Sequence, residues 1–364
     1  MRKLDVDTAY LLAPLPQDRY IVVKPPPGFE ILAGWMGWKY TKGDLLKVLK
    51  AWYGTPDAGL HFYKHEVQQL KKAGFIQQTV DPCMHTIVDG AGKLQHMLIH
   101  HVDDMLVFSP NNKLADEIED KISKNLPIKR LGDPTSFLGV DIQRYPNGDV
   151  KLHQATFIKK RLLQYEQYDI KPRKTSLPTK RLQKAGTLTT KPYRPIIGSF
   201  VWIVNRVGPG LAWYVQQLSQ FASCGTEEHW EAALHLLGYI MANQTQGIMI
   251  RKTNDPSLHK LRYYCDADFG GNYDLRSGGG YLGFAHGTLV PWTCTKIRAM
   301  VTNVHESEIY IMSLTCRQVT WLTRLMEAMH DKVELPIVIN CDNQGAICTS
   351  QNESMSAKTK HIKV

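Results

Sequence analysis

"LIHHVDDMLVF", residues 98–108, sets two adjacent carboxylates, Asp103 and Asp104, between two apolar runs. Widened to residues 93–108, the stretch reads as two strands split by two residues, which is a β-hairpin signal with the acids at its tip. Asp-Asp is a weaker turn pair than Asp-Gly. Taken alone, such a pair marks an exposed turn more often than a ligand pair, because Asp forms turns readily. Asp5 ends an earlier strand in "RKLDVDTAYLL", residues 2–12. Three acids on neighbouring strand ends repel one another unless divalent cations neutralise them. Phosphoryl transfer uses such an arrangement, with two metals roughly 4 Å apart. Mg2+ prefers carboxylates together with water and substrate phosphates.

The C-terminal third repeats the pattern. Asp266 ends the strand "LRYYCDAD" (261–268), Glu308 falls in the first turn of a helix expected over 306–329, and Asp342 ends "LPIVINCDN" (335–343). Each has a plainer reading too. Glu308 suits the positive end of a helix dipole, and Asp342 with Asn343 suits an Asx-turn.

The length of 364 residues allows two or three domains with ample core. Hydrophobic residues make up 43% and charged residues 21%, which is ordinary for a globular chain. Lys and Arg number 44 against 34 Asp and Glu, a formal charge of +10 that favours a polyanionic partner. The seven cysteines are scattered and none has zinc-ligand spacing, so they read as reduced core thiols of an intracellular chain. No run of about 18 apolar residues occurs, so no membrane span is expected. The first residues are too short and too acidic for a secretory signal. They read as mid-strand, as though the chain began inside a domain.

Between the acidic stretches, residues 57–75 have Leu60, Tyr63, Val67 and Leu70 at helical spacing, with Asp57 as N-cap and Gly74 as stop. A helix is expected around 112–125, and a second hairpin over 135–154 turned at "PNGD". "TFIKKRLLQYE" (156–166) reads as a basic amphipathic helix bearing Lys159, Lys160 and Arg161. The stretch 171–184 holds Lys171, Arg173, Lys174, Lys180, Arg181 and Lys184 with no acid, and reads as a boundary or strap. Helical patterning resumes over 193–243, clearest in "EEHWEAALHLLGYIMA" (227–242).

Nearly end to end and in order, the chain resembles the reverse transcriptase–ribonuclease H segment of Ty1/copia-type retrotransposon polyproteins. "LDVDTAYL" is similar to the first polymerase motif, with Asp5 at its aspartate and Tyr10 at its aromatic sugar gate. "PPPGF" follows as in that family, and "WYGTPDAGLHFY" resembles its YGLKQAPRAWY box. "GFIQQTVDPCMH" resembles its GF…DPC segment, "HVDDMLVF" its YVDD hairpin, and "FLGVDI" its primer-grip region. "YRPIIGSFVWI" and "EEHWEAALHLLGYI" resemble its connecting region. "YCDADFGG", "ESEIYIMSL", "CDNQGAI" and "TKHI" resemble its ribonuclease H domain.

The resemblance implies an α+β polymerase palm and thumb with an antiparallel sheet over 1–168, lacking the family's fingers strands. It implies a basic linker and helical connection over 169–258, and a C-terminally truncated α/β ribonuclease H-like domain with a mixed sheet over 259–364. Asp5, Asp103 and Asp104 would be the polymerase metal ligands, and Asp266, Glu308 and Asp342 the nuclease ones. Each centre would take two Mg2+, with Mn2+ as a substitute. Tyr10, Asp57 and His101 would meet nucleotide and template. Lys159, Lys160, Arg161, Lys171, Arg173 and Lys174 would meet nucleic-acid backbone. The implied activity is RNA-directed DNA synthesis with hybrid cleavage. The implied partners are RNA/DNA template-primer, RNA–DNA hybrid, deoxynucleoside triphosphates and the rest of a polyprotein, with no membrane. The implied location is a cytoplasmic virus-like particle or the nucleus.

Several positions depart from the family pattern. Asp57 replaces a Gln that helps hold the template–nucleotide pair, Gly59 a Pro, and Leu60 an Arg. His101 replaces the Tyr of YVDD, Gly278 and Gly279 replace Thr-Ser, and Lys363 stands where the family has Asp. A carboxylate at 57 would repel DNA phosphates. The alternative reading is therefore an inactive, nucleic-acid-binding remnant of such a polyprotein.

Overall fold

The computed structural model describes residues 1–176, 182–184, 186–253 and 255–351. Lys180, Arg181, the "TKHI" segment and Lys363 lie outside the described residues. The chain forms two compact units, Met1–Pro134 with Ala328–His330, and Thr135–Glu327 with Asp331–Val364.

The first unit runs β1 (Arg2–Val6), α1 (Ala9–Leu12), β2 (Val22–Val23), α2 (Phe29–Trp35), β3 (Leu46–Lys47) and α3 (Ala58–Lys72). It continues through β4 (Ile76–Gln77), β5 (Met84–Val88), β6 (Leu94–His101), β7 (Asp104–Phe108), α4 (Asn112–Ser123) and β8 (Ile128–Gly132). Among the described residues its main sheet has six strands in the order β4-β5-β6-β7-β1-β8. Every pairing in it is antiparallel. β2 and β3 make a separate short ribbon. Phe62 and Leu70 of α3 and Ile118 and Ile122 of α4 share one core with Leu4, Leu98, Met105 and Val107 of the sheet.

Local chemistry sets the helix ends. Asn111 caps α4 by accepting a hydrogen bond from the Leu114 N–H at 3.0 Å. Gly74, at φ +97, turns the chain out of α3 in a conformation that costs a glycine little. Asp57 occupies the N-cap position of α3, but its side chain makes no capping bond.

The inward face of β6 alternates His96, Leu98 and His100, so two imidazoles face a hydrophobic core. His96 Nδ1 meets Ser109 Oγ at 2.9 Å, and His100 Nδ1 meets Glu66 Oε2 at 2.7 Å. His85 on β5 is 1% exposed, with its ring centroid 5.1 Å from that of His100. Burial, then the neighbouring His100, lowers its pKa from 6.5 to about 4. The unfolded chain therefore binds this proton at a higher pH than the folded chain does. Stability is full above the unfolded value of 6.5 and is lost as pH falls towards about 4. By linkage the expected loss from His85 is about 2 kcal/mol at pH 5 and about 3 kcal/mol at pH 4. Urea unfolding at pH 7 and pH 5 checks this. The difference between the two midpoints should shrink in His85→Phe, and an equal difference in both chains would refute the assignment.

The second unit begins with β9 (Ser136–Phe137), β10 (Val140–Arg144), β11 (Val150–His153) and α5 (Ala155–Leu162). Next come α6 (Tyr193–Val204), α7 (Ala212–Ser219), α8 (Glu227–Ala242) and β12 (Gly247–Ile250). It ends with β13 (Arg262–Asp268), β14 (Gly278–Ala285), β15 (Thr288–Lys296), α9 (Val304–Ala328), β16 (Val338–Asn340) and α10 (Gln344–Gln351). One sheet has the order β12-β11-β10-β9 and another β15-β14-β13-β16. β13 pairs antiparallel with β14 and parallel with β16, so the latter sheet is mixed.

Helices α6, α7 and α8 enclose a core of Ile196, Phe200, Leu218, Phe221, Trp230 and Leu236. Thr226 and His229 form a reciprocal capping box at the start of α8. The helical layer is tied to the mixed sheet by Trp292 Nε1–H, which donates to the Val204 carbonyl at 3.0 Å. Among the described residues no helix is long and apolar enough to cross a membrane.

Candidate functional site

The first acidic cluster follows from strand register. β1 pairs with β7 so that Asp5 lies opposite Asp104. β6 pairs with β7 so that His101 lies opposite Asp104. The turn residues are therefore Val102 and Asp103. The sequence reading, which put the turn at the two acids, is corrected by one residue. Val102 has φ +59. A β-branched residue in the left-handed region carries roughly 1–3 kcal/mol of strain. One hydrogen bond ties the strained turn to β1, with the Val6 N–H donating to the Asp103 carbonyl at 2.9 Å. That bond brings Asp103 into the company of Asp5.

Burial, then Asp103 and Asp104, pushes the Asp5 carboxyl above the usual carboxylate range, with Lys129 opposing. Asp104 is not left to repulsion alone, because Lys3 Nζ pairs with its Oδ1 at 2.9 Å. The donor set is all oxygen and carries surplus negative charge, the chemistry a hard divalent cation prefers, although the three carboxylates are not gathered within 4.8 Å of one another as Glu308, Cys341 and Asp342 are.

Around it, Tyr10 on α1 packs 4.7 Å from the Tyr53 ring and edge-on, at 6.1 Å, to Phe62. His101 is exposed. Asp57 pairs with Arg19 Nε at 2.8 Å and His61 Nε2 at 3.4 Å. Burial raises its pKa, but its own backbone N–H, Arg19 and His61 outweigh burial and leave it below the usual range. The unfavourable carboxylate of the sequence reading is thus partnered. Arg19, its partner, lies 38 residues upstream (57 minus 19) with no motif to mark it.

The second cluster is also a matter of register. Parallel pairing sets Tyr264 opposite Asn340, the last residue of β16, and two residues past that pair Asp266 and Asp342 are near enough for the Asp342 charge to act on Asp266. Buried Glu308, Ile311, Thr315, Leu322 and Met326 line one face of α9, which lays Glu308 against the sheet. A Cβ on Gly279 would come within 2.5 Å of the Ile311 side chain and 2.7 Å of the Asp266 carbonyl. Glycine at this family departure therefore permits the close approach of α9 to the strands.

Glu308 is 3% exposed. Burial, then Asp266 and Asp342, raises its pKa. Burial, then Asp342, raises that of Asp266. Ligand atoms of Glu308, Cys341 and Asp342 lie within 4.8 Å of one another. Asp266, exposed on β13, stands outside that trio and acts on Glu308 through its charge.

Glu308 stands in the second turn of α9, not the first as the sequence reading had it. The first-turn acid is Glu306, whose carboxylate accepts from the Thr302 N–H at 2.7 Å. Helix-end chemistry therefore belongs to Glu306. Cys341 and Lys3 were not picked out from the sequence, since nothing in their local spacing marks them.

The basic residues fall in two places. Lys159 and Lys160 are exposed on α5, whereas Arg161 lies over the Phe157 ring at 5.4 Å and donates to Gln164 at 2.8 Å. Lys171, Arg173 and Lys174 are exposed on a strap held to α8. The Arg173 N–H donates to the Gly238 carbonyl at 3.1 Å. A Cβ at 238 would lie 2.2 Å from the Lys171 carbonyl, so the strap needs glycine there.

A family model described as reverse transcriptase (RNA-dependent DNA polymerase) matches residues 1–179. The Retrovirus-related Pol polyprotein from transposon RE1 of Arabidopsis thaliana is 30% identical, over 100% of this chain and 24% of that protein. The putative transposon Ty5-1 protein of Saccharomyces cerevisiae is 29% identical, over 82% of this chain and 94% of that protein. A foamy viral protease-reverse transcriptase, solved in complex with ds DNA, aligns over 98% of this chain and 55% of that chain. The two are 13% identical, with a TM-score of 0.24. The chain spans about a quarter of the length of the polyprotein relatives. With its whole length matched by such polyproteins and its first half by the polymerase family model, the chain belongs to the reverse transcriptase family of Ty1/copia-type retrotransposons.

Proposed function

We propose that Asp5, Asp103 and Asp104 form an RNA-directed DNA polymerase centre and that Asp266, Glu308 and Asp342 form a ribonuclease H centre. The observation that carries this reading is the pairing of β1 with β7, which sets Asp5 opposite Asp104 beside the Asp103 turn. These carboxylates would hold Mg2+, two per centre and replaceable by Mn2+, which when bound would supply positive charge to an attacking and a leaving oxygen.

The protein's own groups do the positioning. Lys3 holds Asp104 in place from β1. The Tyr10 ring, fixed by Tyr53 and Phe62, forms the wall against which the sugar of an incoming deoxynucleoside triphosphate rests. Exposed His101, next to the turn, packs at the primer terminus. Arg19 offsets the Asp57 charge, so a template phosphate meets a neutralised pair. In the nuclease centre, burial fixes Glu308, and exposed Asp266 is the carboxylate open to water and the RNA strand. Lys159, Lys160, Lys171, Arg173 and Lys174 contact duplex phosphates without regard to sequence. The rest of such a polyprotein is a further partner.

The test uses the full chain with a labelled RNA template and DNA primer. Filter retention should fall roughly 10^2–10^3-fold between 50 and 200 mM salt for about five phosphate contacts. Deoxynucleoside triphosphates and Mg2+ should extend the primer. A chain that neither retains the duplex at low salt nor extends the primer would dismiss the polymerase reading.

A further inference from the structure

Two thiols at the second acidic cluster have no part in the chemistry above. Cys265 precedes Asp266 on β13, and Cys341 precedes Asp342 just after β16. They follow directly on the last pair of the parallel register, Tyr264 opposite Asn340. Strand alternation then turns both towards the α9 face, where each packs in the small core around Ile311. Cys265 is 5% exposed. The Cys341 Sγ–H points at Glu308 Oε2 from 3.8 Å. Ligand atoms of Cys341, Glu308 and Asp342 already lie within 4.8 Å of one another.

Mg2+ has little use for sulfur, whereas Zn2+ and its heavier analogue Cd2+ seek thiolates. In a tetrahedral zinc site, bonds of about 2.3 Å to sulfur and about 2.1 Å to oxygen put neighbouring S and O atoms about 3.6 Å apart. The observed separation of 3.8 Å needs little adjustment. We infer that Cys341, Glu308 and Asp342, with the Cys265 thiol packed in the same small core beside them, form a second cation site, selective for thiophilic divalent ions of the Zn2+ class. It shares Glu308 and Asp342 with the hard-cation centre, so the two kinds of ion exclude each other. The consequence, inhibition of hybrid cleavage by Zn2+, rests on the ribonuclease H reading. Binding itself does not. Sequence spacing gave no sign of it, because the cysteines are 76 residues apart (341 minus 265) and only the β13–β16 register joins them.

The test titrates the full chain with Cd2+ in excess Mg2+ and follows the ultraviolet cadmium–thiolate charge-transfer band. One tight equivalent is expected. Cys341→Ser should weaken it by more than about tenfold and cut the band, and Cys265→Ser, beside it, should weaken it less. Cys316→Ser and Cys348→Ser, at exposed positions, should leave it unchanged. Asp342→Asn should weaken binding while sparing the band at saturation, which guards against a variant that merely misfolds. An unaltered band and affinity in the Cys265→Ser/Cys341→Ser double variant would overturn the site. The readout needs no turnover, so failure of the nuclease reading shows separately, as absence of hybrid cleavage in Mg2+ whatever Cd2+ does.

Discussion

Asp103→Asn is expected to cut primer extension by roughly 10^3-fold, a loss of about 4 kcal/mol of transition-state stabilisation, while leaving the fold unchanged. The side chain is exposed at the tip of the β6–β7 turn and no core packing depends on it. The bond that secures the turn is made by the Asp103 backbone carbonyl, which Asn retains. Unfolding free energy should therefore move by less than about 0.5 kcal/mol.

Asp5→Asn provides the informative contrast. Burial and two like charges raise the Asp5 pKa, so at neutral pH its ionised form opposes folding. The amide removes that opposition. Activity should fall as far as in Asp103→Asn, while the melting temperature rises. A stability gain paired with lost function is the behaviour of a group kept for chemistry against the interest of the fold. Extension at the wild-type rate in Asp103→Asn would show that synthesis in the assay comes from elsewhere. A fall in melting temperature in Asp5→Asn would mean that the carboxylate is stabilising and the cluster is misread.

How far the sequence reached depends on the range of the force concerned. The helix over 227–242 is legible to the residue because its apolar period and its terminal signals agree. The β6–β7 hairpin is legible from its paired apolar runs, but its turn is not. Rules that match residues to conformations would not put Val102 at φ +59, since that strain is offset by a bond to β1 made almost a hundred residues upstream. Asp57 shows the same limit. Its position at the start of α3 follows from spacing, yet Arg19 draws the side chain away from the cap. Four-residue α1 has a left-handed Thr8 at its N-cap and no side-chain cap, so no local signal announces it. The acids of both clusters were visible one by one. Their convergence depends on β1–β7 and β13–β16 registers, which local pattern does not encode.

The proposed nuclease centre gives the second large effect. Asp342→Asn should reduce cleavage of a labelled RNA–DNA hybrid by roughly 10^3-fold, with primer extension kept. Glu308→Gln should lose cleavage to a similar degree for a different physical reason. Glu308 is buried, and its charge is opposed by burial, by Asp266 and by Asp342, so the neutral amide should make the chain more stable at neutral pH. Asp342 is exposed just past the end of β16, so its own replacement disturbs no packing. The two centres can then be set against each other in one protein. Asp103→Asn should retain cleavage, and Asp342→Asn should retain extension. Loss of both activities in either variant would mean that the substitution acts through folding or binding. Full cleavage by Asp342→Asn would mean that the acids gathered by the parallel β13–β16 pair hold no ion that the reaction needs.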